Sequence, residues 1–160
     1  MALKFLPVLL LSCFAMSTAL QVTEKELSDG KKIFISKVEL NWFEALDFCI
    51  HRGLTLLSIK SAKENVDVTK AIRAELNFDS KKLAHVWTGG IRHSQDKYFR
   101  WINDGTKVVK RVYTNWFTGE PNNGYWKDEF CLEIYYKTEE GKWNDDKCHV
   151  KHHFVCQEKK

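Results

Sequence analysis

The sequence predicts an α+β domain. Three observations carry this reading: two capping patterns that each open an amphipathic segment, a later half of short apolar and aromatic runs, and a long aromatic stretch within that half that fits neither. The alternating Ile33, Phe34, Ile35 region reads as the first strand. Asn41 followed by Glu44 is a capping box, opening a helix on which Trp42, Ala45, Leu46 and Cys49 share a face and which ends at Gly53. Ser61 with Glu64 opens a longer helix, with Ala62, Val66, Ile72 and Leu76 at helical period. Beyond Phe78, residues 86–91, 98–102, 130–136 and 153–157 read as strands separated by Gly, Asn and Asp. Residues 104–127 form a long loop, and Tyr113, Trp116, Phe117, Tyr125 and Trp126 argue that it is ordered and functional.

Residues 1–19 read as a signal peptide. Lys4 is the only charge before Glu24, and the apolar stretch 5–15 is too short to cross a bilayer as a mature helix. Small residues at Ser17 and Ala19 place cleavage after Ala19. The expected product is secreted and extracellular, with a polar, loose leader over 20–30. Cys13 leaves with the signal, so five cysteines become four: Cys49, Cys131, Cys148 and Cys156. An even number in an exported chain implies disulfides, for which three pairings are open. The formal charge falls from +4 to +3 as Lys4 is lost, which points to neither nucleic acid nor membrane insertion.

Two clusters of hard oxygen donors stand out, Glu120, Pro121, Asn122 and Trp143, Asn144, Asp145. Carboxylates and amides are the ligands calcium takes, about six to eight oxygens per ion. Cys131 and Cys148 stand beside the two clusters, and a bridge between them would hold the clusters together. An X-Pro bond is the common route to a cis peptide, which would turn Glu120 and Asn122 toward one ion. The pattern is that of a binding site rather than an enzyme. The sequence has no Gly-x-Ser-x-Gly elbow, phosphate loop or His-Glu-x-x-His, and the adjacent Asp145 and Asp146 cannot easily flank one glycosidic bond.

Taken in order, Cys49, Trp87-Thr88-Gly89-Gly90, Phe99-Arg100-Trp101, Asn115-Trp116, Glu120-Pro121-Asn122, Trp143-Asn144-Asp145 and the closing Cys131, Cys148 and Cys156 resemble a short-form C-type lectin domain over residues 31–158. The resemblance implies two helices with small antiparallel sheets, a long calcium-binding loop, and nested disulfides Cys49–Cys156 and Cys131–Cys148. It also implies calcium held by Glu120, Asn122, Glu129, Asn144 and Asp145, the last through both carboxylate and carbonyl, with two positions left for vicinal sugar hydroxyls. Counting back from Cys131 selects Glu129; counting forward from Glu120 selects Asp128, the fallback ligand. Accessory-calcium carboxylates of some members fall here at Arg92, Asp96, Asn123 and Phe130, where only Asp96 is an acid, so that site is expected to be absent or weak. The implied partners are glycans on glycoproteins or on cell and microbial surfaces, in adhesion or innate immunity, with several sites joined for avidity.

Glu-Pro-Asn resembles members that bind mannose, fucose or glucose-type sugars. Tyr125 and Trp126 in the same loop suit the aromatic stacking used by galactose binders, although packing within the loop is favoured because Trp usually buries area. A protein-binding module without sugar activity is the alternative of another class. The C-terminal Cys148, His149, His152, His153 and Cys156 could be read as zinc ligands. That reading is set aside because the cysteines are oxidised and strand alternation separates His152 from His153, which leaves both expected at the surface. Trp42, Trp87, Trp101 and Trp143 are assigned to the core or to support of the site. No Asn-x-Ser/Thr acceptor occurs.

Overall fold

A computed structural model describes residues 21–78, 84–137 and 140–159; the signal segment lies outside the described residues. The elements are β1 (Val22–Glu26), β2 (Lys32–Ser36), α1 (Trp42–Ile50), β3 (Leu54–Leu56), α2 (Ala62–Leu76), β4 (Ala84–Ile91), β5 (Arg100–Trp101), β6 (Cys131–Tyr136), β7 (Lys142–Asp146) and β8 (His153–Glu158). The strands run in the order β1-β2-β8-β4-β6-β7, with β3 on β8 and β5 on β4. The β4–β8 pairing is parallel and the others are antiparallel, so the sheet is mixed.

Both helices start where the capping patterns place them. Asn41 accepts from the Glu44 amide while the Glu44 carboxylate accepts from the Asn41 amide, and Ser61 caps α2 by accepting from the Glu64 amide. Trp42, Ala45 and Cys49 are buried as expected. On α2 Ile72 is buried as expected, but the rest of the buried face is Asn65, Val68 and Thr69, and Val66 is exposed. The correction has a physical source: Asn65 and Thr69 are polar but satisfied, Asn65 by the Trp143 indole and Thr69 by the Asn65 carbonyl, so they pack inward at little cost.

Trp42, Trp87, Trp101 and Trp143 are all essentially buried. Trp143 is the hub, lying edge-on to Trp101, Tyr113 and Trp116. Its backbone N–H donates to the Asn115 carbonyl and its carbonyl accepts from the Phe117 amide, which straps the long loop onto β7. Close packing also accounts for Gly89 and Gly90. A Cβ on Gly89 would lie 2.9 Å from the Leu56 carbonyl oxygen, and one on Gly90 would lie 2.6 Å from Leu132 Cβ. The disulfides are the nested pair Cys49–Cys156 and Cys131–Cys148, the second tying the start of β6 to the segment after β7.

Residues 22–26, expected within a loose leader, are a strand paired with β2 along its full length. Glu75 of α2 anchors it, accepting from the Thr23 hydroxyl at 2.6 Å and pairing with Lys25 at 2.9 Å and Lys37 at 3.4 Å. The Thr23 hydrogen bond, then Lys25, hold the Glu75 carboxyl down at about 2, against 4.5 when free. Because this pKa is depressed, its contribution to stability is present above about pH 4.5 and is lost as pH falls toward 2. Glu75→Gln is therefore expected to cost on the order of 1 kcal/mol near neutral pH and to flatten the acid limb of the melting curve, read by circular dichroism.

Candidate calcium and sugar site

The site forms where the long loop crosses the end of β7. The Glu120–Pro121 peptide is cis, as the sequence suggested. Glu120 and Asn122 meet across it: the Asn122 amide nitrogen Nδ2 donates to Glu120 Oε1 at 2.8 Å and the Asn122 backbone N–H to Oε2 at 3.0 Å. Asp145, fully buried on β7, caps the same turn. Its Oδ1 accepts from the Asn122 N–H at 3.0 Å and its Oδ2 from the Asn123 N–H at 2.9 Å. Asn123, Gly124 and Lys127 have positive φ, and the loop turns sharply back through them toward β6. A Cβ on Gly124 would lie 2.5 Å from Glu129 Oε1, so the missing side chain makes room for that carboxylate.

Of the expected ligands, Glu120, Asn122 and Asp145 are joined directly by hydrogen bonds, and Glu129 reaches the loop beside them. Asn144 differs. Its Nδ2 donates to Glu133 Oε1 at 2.8 Å, so it stands outside the hydrogen bonds that join Glu120, Asn122 and Asp145. Asp128, the fallback, pairs with Lys147 at 3.0 Å. Electrostatics single out Glu129: burial, then the charges of Asp145, Asp146, Glu120 and Asp128, push its carboxyl up to about 7. Burial and then Asp145 raise Glu120 in the same direction. Carboxylates that repel one another so strongly form a cluster short of positive charge.

Arg92 fills the place where an accessory acid would stand. Its Nη2 donates to the Glu129 carbonyl at 3.1 Å, lies 3.7 Å from Asp145 Oδ2, and its guanidinium rests against Phe99 and Phe130. Tyr125 and Trp126 correct the loop-packing expectation, being 86% and 72% exposed and edge-to-face with each other at 4.8 Å. His152 is likewise buried rather than at the surface, and His153 is partly buried, 3.6 Å from Glu39. Sequence reading missed Glu133 and His85. An acid at an apolar-strand position, Leu132-Glu133-Ile134, is the signal that could have found Glu133.

Residues 38–158 match the Lectin C-type domain family. The chain belongs to that family. This C-type lectin domain is 35% identical over 123 residues to L-selectin of Rattus norvegicus, covering 76% of this chain but only 30% of L-selectin. It is 29% identical to Salivary C-type lectin 2 of Aedes albopictus, covering 94% of this chain and 98% of that protein. Among solved structures it superposes on the C-type lectin domain of murine dendritic cell inhibitory receptor 2, a complex with N-glycan, with a TM-score of 0.65 at 33% identity, covering 81% of this chain and 91% of that one. No helix among the described residues is long and apolar enough to cross a membrane.

Proposed function

We propose that this C-type lectin domain is a secreted, non-enzymatic lectin that binds vicinal sugar hydroxyls through one calcium ion. The observation that carries the reading is the convergence of Glu120, Asn122 and Asp145 in one hydrogen-bonded cluster, with the Glu129 carboxylate seated over Gly124. The donor set fits calcium and not a softer metal, since every donor is a carboxylate, amide or carbonyl oxygen. Burial, then repulsion from neighbouring carboxylates, raises Glu129 and Glu120, and a dication would offset both. Glu120, Asn122, Glu129, Asn144 and Asp145 would hold the ion. Calcium supplies an electrophilic centre that two hydroxyls can ligate, while the carboxylates accept their protons and the Asn122 amide donates to them. Asn144 would present its amide oxygen, with its NH2 held by Glu133.

Glu-Pro-Asn supports mannose, fucose or glucose-type sugars. The exposure of Tyr125 and Trp126 favours a second reading, galactose, whose apolar face could lie against an aromatic ring. Competitive elution from an immobilised glycoprotein separates the two. Methyl mannoside is expected to elute at lower concentration than methyl galactoside, with Trp126→Ala changing its affinity less than about twofold. The reverse order, with Trp126→Ala weakening galactoside about fivefold or more, assigns the site to galactose. Elution by neither sugar favours a protein-binding module on the same fold. Glycans of glycoproteins or of cell and microbial surfaces are the proposed partners.

A further inference from the structure

A second cluster adjoins the calcium site, built around Asp146, which follows Asp145 on β7. His85 of β4, Glu133 of β6, Asp146 of β7 and His152, just before β8, each offer one ligating atom, and these atoms all lie within 4.8 Å of one another. His85 Nδ1 is 2.9 Å from Glu133 Oε2, His152 Nε2 is 2.8 Å from Asp146 Oδ2, and His152 Nε2 is 3.4 Å from Glu133 Oε2. We propose that these four side chains form a tetrahedral site for a zinc-type divalent transition metal.

The chemistry decides the class of metal. Zinc takes imidazole nitrogen and carboxylate oxygen at about 2.0–2.2 Å, so neighbouring ligand atoms stand about 3.3–3.6 Å apart in a tetrahedron. Of the three separations above, 3.4 Å lies in that range, the 2.8 and 2.9 Å hydrogen-bond distances would open by about half an ångström, and the longest pair would close by about an ångström. Calcium takes oxygen ligands and is not served by two imidazoles. One dication balances the two carboxylates and leaves both rings neutral. The two rings are stacked, with ring centroids 4.8 Å apart and planes 17° from parallel.

The cluster is also held as a metal site requires. Glu133 is fully buried, and its Oε1 accepts from Asn144 Nδ2. Tyr135 stacks on His85 at 4.7 Å and Trp87 packs against His152 at 4.5 Å, which fixes both rings. Groups of this kind around a metal orient its ligands. The Cys131–Cys148 bridge ties together the segments that carry Glu133 and Asp146. His85, about a third exposed, provides the way in. Through Glu133 the metal would brace Asn144.

The test is cobalt substitution on the whole protein with calcium saturating, so that the oxygen site is already filled. One Co2+ per chain is expected, with the intense visible absorption of a tetrahedral centre, displaced by one equivalent of Zn2+. His85→Gln and His152→Gln should each abolish the band, whereas His149→Gln, at an exposed position, should keep it. Should either variant fail to fold, the wild-type protein still decides: two imidazole N–H protons shifted by the cobalt support the site. Absence of the band, its survival in both variants, or fewer than two shifted protons overturns the proposal. Calcium binding at Glu120 and its neighbours is read separately and can stand or fall alone.

Discussion

Asp145→Asn is expected to lower calcium affinity at least a hundredfold, the largest effect of any single substitution in the domain. Two losses combine. The variant removes one negative charge from the ligand set, and ligand charge is what tunes calcium affinity in such sites. It also removes a cap, because both carboxylate oxygens accept backbone N–H groups of the loop, Oδ1 from Asn122 and Oδ2 from Asn123. An asparagine has one oxygen, so its NH2 must face one of those N–H groups. The Asn122 N–H keeps Glu120 Oε2 as an acceptor, so the loss is one of the two bonds that clamp the turn carrying Glu120 and Asn122, at a cost of about 1 kcal/mol. Titration calorimetry with calcium and a melting curve read the two losses. Asp128→Asn is the control: its carboxylate faces Lys147, so calcium affinity is expected to change less than about tenfold. A large effect at Asp128 would move the third carboxylate ligand there from Glu129.

Acid is expected to release calcium and sugar together, over a window set by Glu129. In the calcium-free protein this carboxyl is raised from 4.5 to about 7, by burial and then by its four acidic neighbours. Between those two values the folded chain holds a proton that the unfolded chain has lost. The raised pKa therefore stabilises the calcium-free fold at low pH, and that contribution fades as pH rises through about 7. Calcium reverses the preference, since it needs the ionised form. Below about pH 7 each binding event must expel a proton, and affinity falls about tenfold per pH unit. The slope steepens once Glu120, shifted the same way, takes up its own proton. Calcium isotherms at about pH 8, 6 and 5 test this, together with sugar retention at each pH. Glu129→Gln should have a shallow profile from the start.

Much of this was legible in the sequence because it rests on local chemistry. The helix starts were readable from Asn41, Glu44, Ser61 and Glu64, whose side chains answer their own backbone within one turn. The meeting of Glu120 and Asn122 was readable because they flank a proline, and the bond before it is cis. What stayed hidden depends on partners far along the chain. β1 looked like a loose leader because three of the five residues in Val22–Glu26 are charged, and its stability comes from pairing with β2 and from Glu75, some fifty residues away. β7 read as loop because Asn and Asp are poor strand formers, yet its register against β6 and the packing of Trp143 override that preference. The inward turn of His152 has the same origin. Only the fold brings Glu133, Asp146 and Trp87 around it.

The most direct test of calcium-mediated sugar binding is retention on immobilised glycoprotein, measured with calcium, with a chelator, and with calcium restored, for the wild-type protein and Asp145→Asn. The expected result is wild-type retention that disappears in chelator and returns with calcium, and no retention of the variant under any condition. Wild-type retention that persists in chelator would contradict a metal-bridged sugar site.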